Sequence, residues 1–334
     1  MSEGQEKKSV AQIVLENFLK DVEEKGTMPW QRPYERYDSF NYFTKRAYRG
    51  INRLILPEGE YLTRNQINQY NKEHGEDFRF QKGIEWYPVI FFKKESKPIS
   101  MEELLSVFPN AVVGSDNTYF GYKGGWGYYL IEGRLLRKRN ILRYFLVAER
   151  KHFRNSKGEY LPSRIESGEI TITKQKPQDV WDSFIKRTGI KVKETIGTPK
   201  YIPFFDTIEL NHHIKSEDSW FSTAFHEAAH ATGHPSRFNR PGVQLLSDND
   251  ENIYAEEECI AEIAACLCCA ETGITDMQTS CMEEYDSSVA YVQYWKNKVK
   301  SWGSSFIFIV SQADKAFNYI CGNPDDGIDS ADSD

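Results

Sequence analysis

The five residues His226-Glu227-Ala228-Ala229-His230 constrain this chain more than any other feature. They lie in SWFSTAFHEAAHATGH, a run of good helix formers with Gly233 near its end. At about 3.6 residues per turn, His226 and His230 stack on one helical face. Two imidazoles so placed can hold one Zn2+ ion. Glu227, beside the first of them, can take a proton from water at that ion. The bland alternative, a helix carrying two surface histidines, loses ground because an acid-rich helix follows that can complete the site.

A catalytic zinc needs a third protein ligand and an open position. The run Tyr254-Ala-Glu-Glu-Glu-Cys-Ile-Ala-Glu262 supplies candidates. Glu258 and Glu262 are four apart and share a face, and Glu258 lies 28 residues beyond His230, enough for a loop and a return helix. We expect Glu258 as third ligand and Glu262 as the carboxylate that orients a ligand histidine, with the reverse assignment as the alternative. Glu256 and Glu257 are expected at solvent or favouring the helix N-terminus. His234 follows His226 by eight and has Gly233 just before it, whereas the extended three-histidine pattern wants the third histidine ten residues on. It is assigned to the helix C-terminus or to supporting a ligand. His212 and His213 precede the helix and rank below these. Tyr254 is a candidate for oxyanion stabilisation.

The 334 residues accommodate two domains, and 40% hydrophobic residues supply a packed core. No stretch reaches the ~20 apolar residues of a membrane span, and Met1 to Lys8 has no apolar signal-like run, so a cytoplasmic protein is expected. Six cysteines do not suggest a disulfide framework; Cys266, Cys268 and Cys269 sit in one apolar run and read as reduced, buried thiols. The net charge of −7 is uneven: residues 1–150 hold 24 Lys and Arg against 20 Asp and Glu, and the remainder 18 against 29. The basic balance of the first half suits a polyanion.

Apolar spacing predicts a helix over 9–25, opened by Ser9 and closed by Gly26, and a shorter one over 61–73. Strands are expected at 86–93 and 143–149, with a glycine- and aromatic-rich hairpin over 117–131. The second half reads as helical at 175–188, 219–232, 254–272, 285–300 and 305–320. The expected fold class is α+β, a small mixed N-terminal domain (1–155) followed by a mostly helical domain (156–322). An acidic tail (323–334) is expected to be disordered.

HEAAHATGHPSRFNR, followed by YAEEECIAEIAACLCCAETGI, resembles the zincin-type metallopeptidase domain of the ArdC antirestriction family. That family carries a HELAHWTGH stretch and a later YA-EEL-AE stretch, and FFDTIEL fits its run into the helix. MPWQRPY, AYRGINRLIL and FQKGIEWYPVIFFK resemble blocks of its single-stranded-DNA-binding domain, and YVQYWKNKVK its closing helices. The resemblance covers nearly the whole chain, to about residue 320. It departs in three places: RYFLVAER lacks the family's Phe-Asn…Gln signature, residues 95–140 look like an insertion, and Ala231 stands where the family has tryptophan.

The resemblance implies a zincin-like second domain, a zinc cofactor and protection of mobile-element DNA from restriction. It also implies a single-stranded-DNA partner. Single strands are held by basic grooves with aromatic platforms. Trp30, Arg32, Tyr48, Arg49, Asn52, Lys82 and Trp86 are the candidate residues. Two alternatives stand beside this reading: a conjugation- or replication-associated DNA-binding protein with a non-catalytic zinc site, and a plain zinc peptidase without DNA binding.

Overall fold

The computed structural model describes residues 8–31, 38–112, 118–123, 126–211, 216–244, 251–274 and 287–323. In chain order its helices are α1 (Val10–Lys25), α2 (Ile51–Ile55), α3 (Arg64–His74), α4 (Met101–Val107), α5 (Pro177–Thr188), α6 (Glu217–Thr232), α7 (Pro241–Gln244), α8 (Glu251–Thr272), α9 (Ser288–Trp302) and α10 (Ser305–Cys321). Its strands are β1 (Ser39–Asn41), β2 (Gly59–Leu62), β3 (Arg79–Phe80), β4 (Tyr87–Pro98), β5 (Thr118–Lys123), β6 (Trp126–Ile131), β7 (Arg134–Glu149), β8 (Phe153–Arg154), β9 (Lys191–Glu194), β10 (Lys200–Ile202) and β11 (Thr207–Leu210). The fold class is α+β. Among the described residues no helix is long and apolar enough to cross a membrane. Arg32, His212, His213 and the tail beyond Asn323 lie outside the described residues.

The chain divides into two compact units, one of Met1–Val89 with Leu146–Asp325, the other within Ile90–Phe145. This division differs from the expected junction at 155/156, because residues on both sides of that junction belong to the first unit. The expected insertion at 95–140 lies inside the second unit.

In the first unit, α1 begins with a capping box in which Ser9 and Gln12 satisfy each other's backbone N–H groups. Its buried face, Val14, Phe18 and Val22, is one helical stripe. Phe18 packs on Phe306 of α10 with ring centroids 4.9 Å apart, so the first helix closes against the last. Thr63 and Gln66 form a second capping box at the start of α3. Tyr42, Leu62, Ile67, Tyr70, Phe78, Ala148, Phe153 and Leu161 form a core beneath α3. The short ribbon of β3 and β8 pairs Arg79 with Arg154 and Phe80 with Phe153.

The remainder of this unit is a layer of helices on a small sheet. The strand order is β10-β11-β9, with β10 antiparallel and β9 parallel to β11. The helix α6 lies on β10 and β11 and packs against α8 and α10. All four residues of β9 are exposed, so it shows no alternation in the sequence.

The second unit is a meander of β5, β6 and β7 with α4 on one face. Ser100 caps α4 through its hydroxyl. Leu104, Trp126 and Tyr128 form its core, with Phe108 and Leu135 packed around them.

Candidate metal centre

The helix α6 opens with Ser216, whose hydroxyl accepts from the Ser219 N–H, and with Glu217 and Asp218 in its positively polarised first turn. Sheet and helices enclose it, so Phe221, Ala224, Phe225, Ala228 and Ala229 are all buried. The two histidines and Glu227 are buried with them, at 3%, 4% and 6% exposure for His226, Glu227 and His230. A helix packed on several sides hides its polar triad from bulk water.

Across from it, α8 presents three carboxylates. The Nε2 atoms of His226 and His230 approach to 3.2 Å. Glu258 lies 3.4 Å from His226 Nε2 and 3.5 Å from His230 Nε2. One donor atom from each of the three falls within 4.8 Å of the others. Burial works against the charge on Glu258, but the facing imidazoles outweigh it and hold its carboxyl at about 2. Burial also opposes protonation of His226; the facing Glu258 and Glu262 carboxylates prevail and raise its pKa well above the ordinary value.

Behind the donors stands a second layer of carboxylates. His226 Nδ1 faces Glu262 at 3.6 Å, and His230 Nδ1 faces Glu257 at 3.2 Å. Glu257 is expected at solvent or favouring the helix N-terminus; the structure corrects the first, because Glu257 is 2% exposed and turned onto His230. It is held by a two-pronged ion pair from Arg240, with Nε at 2.8 Å and Nη2 at 2.6 Å. The same guanidinium donates to the Ala229 carbonyl and the Thr232 hydroxyl, both at 2.7 Å, and so ties the end of α6 to α8. Gly233 makes room for this: a Cβ there would meet Val243 at 2.4 Å and Arg240 at 3.0 Å. Glu262 accepts from the Tyr291 hydroxyl at 2.7 Å.

Glu227 interacts with the Tyr201 backbone of β10. Burial raises its pKa above the ordinary carboxylate value, which suits a group that must accept and return protons. The loop after β10 is fixed by Arg237, which donates to the Ala231 carbonyl at 2.6 Å and to Asp206 Oδ2 at 3.1 Å. Tyr254, half exposed, hydrogen-bonds Glu258. His234 stays outside the donor set, with Nδ1 at 2.7 Å from the Ser236 hydroxyl.

Two imidazoles and a carboxylate, each backed by further groups, fit a divalent metal ion. Residues 179–311 match the family model MPTase-PolyVal, described as zincin-like metallopeptidase, and the donor set lies inside that stretch. Two solved structures of the antirestriction protein ArdC from plasmid R388 match nearly the whole chain. The metal-free one gives a TM-score of 0.61 at 22% identity, and the Mn(II)-bound one 0.59 at 23%; each match covers 95% of this chain and 98% of the other.

The chain has the ArdC fold.

A DNA primase named TraC from Escherichia coli is 23% identical over 329 residues, 94% of this chain. A second match to a protein of that name is 41% identical over 76 residues. This chain spans about a fifth of the first of these relatives and less of the second.

Within the ArdC fold, the residues expected to bind nucleic acid fall in different places. Three are corrected by burial. Trp30 has no exposed surface and packs among Phe18, Trp295 and Phe306, leaving no ring face for a base. Tyr48 and Asn52 are 6% exposed, Tyr48 being set edge-on against Tyr61. Arg49 is half-buried, Lys82 is exposed, and Trp86 is half-buried beside Phe80 with the Arg64 guanidinium over its ring. Glu257, Arg240 and Tyr291 were missed by sequence reasoning. Arg240 closes the HPSRFNR run and was the one with a local signal.

Proposed function

We propose that this chain is a zinc-dependent peptidase that also binds single-stranded DNA and protects mobile-element DNA from restriction in the cytoplasm. The observation that carries the peptidase reading is the convergence of His226, His230 and Glu258 within 4.8 Å, with Glu227 next to the first donor. When bound, the metal polarises water and the scissile carbonyl. The chain's own residues do the rest. Glu227, held by the β10 backbone, accepts the proton that water loses and returns it to the leaving amine. Glu257, hydrogen-bonded to His230 Nδ1, and Glu262, whose charge faces His226 Nδ1 at 3.6 Å, favour a proton on each Nδ1, so that the Nε2 lone pairs face the site. The DNA and antirestriction parts draw on the motif resemblance and on the name of the structural neighbours, and the basic balance of the first half supports them.

The TraC likeness supports a second reading, a DNA-associated factor of conjugation or replication in which the metal site is not catalytic. Glu227→Gln separates the two. It should keep its metal and lose peptide cleavage and any protection against restriction. Full protection by a metal-loaded Glu227→Gln protein would sink the peptidase reading and leave the second.

A further inference from the structure

The second compact unit holds a second aromatic face, half-exposed and flanked by cations. In the β5-β6-β7 meander, Tyr119 pairs with Tyr129, Tyr129 with Leu136, and Gly127 with Lys138. Side chains alternate across a sheet, so these share one face, while Trp126, Tyr128 and Leu130 point to the other. The Trp126 face is closed: α4 packs on it through Leu104 and Phe108. Arg139, Arg137 and Lys97 surround the Trp126 ring at 4.3, 4.8 and 5.4 Å.

The Tyr129 face is half-exposed, with Tyr119 and Arg134 at solvent. Tyr119 is 55% exposed, and its ring lies 5.0 Å from that of Tyr129 at an interplanar angle of 37°. Tyr129 lies flat over Gly127, where a Cβ would meet the ring at 2.8 Å. The ring is half-buried. Lys138 reaches within 5.7 Å of that ring, and Arg134 is exposed on the same face. The segment from Ile90 to Phe145 holds nine Lys and Arg against five Asp and Glu, a balance of +4 in a chain whose other residues sum to −11. A second aromatic pair with a cation, Phe80 and Trp86, has the Arg64 guanidinium over both rings, at 4.5 and 4.9 Å.

We propose that this face is a stacking platform for single-stranded nucleic acid, with Tyr119 and Tyr129 taking bases and Lys138 and Arg134 the phosphates. It rests on the single-stranded-DNA reading above and names its surface. Unpaired bases offer stackable faces that a duplex hides, and a solvent-facing aromatic pair flanked by cations takes them without reading sequence.

The test uses the full chain and a labelled oligothymidylate, titrated at several salt concentrations, with a duplex of equal length alongside. The wild type should bind the single strand and prefer it to the duplex. Tyr119→Ala and Tyr129→Ala should each weaken binding about tenfold. Lys138→Gln should lower the salt slope by about 0.7. Bromodeoxyuridine crosslinks on the unaltered chain should map within residues 118–138, so a variant that misfolds does not decide the matter. Single-strand binding by the wild type with crosslinks elsewhere and unchanged variants overturns this surface and leaves the DNA reading standing. No binding by the wild type overturns both.

Discussion

The indole N–H of Trp30 donates to the Tyr291 hydroxyl at 2.9 Å, across 261 residues of sequence. Tyr291 in turn donates to Glu262, which faces Nδ1 of His226. Three side chains from the N-terminal segment, α9 and α8 thus stand in line behind one histidine of the proposed metal site. Trp30 is packed too tightly to serve any outside ligand, and its polar atom is aimed at this line.

Removing the Tyr291 hydroxyl should therefore loosen the metal. Outer-layer partners of metal-binding histidines typically contribute 10–100-fold in affinity. Tyr291→Phe keeps the ring and deletes one donor to Glu262, so its affinity for Zn2+ should fall by about tenfold. Competition against a chromophoric chelator measures this. An affinity within about twofold of wild type would remove Tyr291 from the site.

Arg240 answers for stability rather than for metal alone. Its guanidinium neutralises a carboxylate that is 2% exposed and also ties down the end of α6. Breaking a buried pair from one side leaves an uncompensated charge, which costs about 3–5 kcal/mol. Arg240→Ala should lose that much in urea unfolding of the metal-free chain. A loss below about 1 kcal/mol would show that Glu257 finds another partner.

Asp206 gives a pH test away from the metal donors. Burial alone would raise its pKa, but the Arg237 and Tyr201 hydrogen bonds outweigh this and hold it below the ordinary value of 3.8. A carboxyl lowered in the folded state adds stability above its unfolded pKa, and that share is lost as pH falls through the folded value. Asp206→Asn, which tolerates the left-handed φ of 45° at this position, should be less stable than wild type at neutral pH. The gap should close below about pH 4. Urea midpoints across the range measure it, and a gap that widens in acid would contradict the assignment.

The helices and the HEAAH pair were legible because their signals are local. Spacing along one helix sets which histidines share a face, and Ser9, Thr63 and Ser216 cap within a few residues of their own position. Glu257 was not legible. The helix α8 is buried nearly all round, from Ala255 to Cys269, so its apolar pattern gives no phase to say which glutamates point inward. Trp30 and Tyr48 failed for a different reason. An aromatic beside a cation reads alike in sequence whether it stacks on a base or on Phe306, and only long-range packing decides. The strand β9 hid because all its side chains are exposed, and α4 because the expected insertion was read for its glycines and aromatics.

The most direct test of the proposed metal centre is a count of Zn2+ bound per chain in the wild type and in Glu258→Ala, His230→Ala and Glu262→Gln, by equilibrium dialysis and elemental analysis. One ion per wild-type chain is expected, lost in Glu258→Ala and His230→Ala and retained with weaker affinity in Glu262→Gln. A wild type that binds none, or a site that survives Glu258→Ala and vanishes in Glu262→Gln, would contradict it.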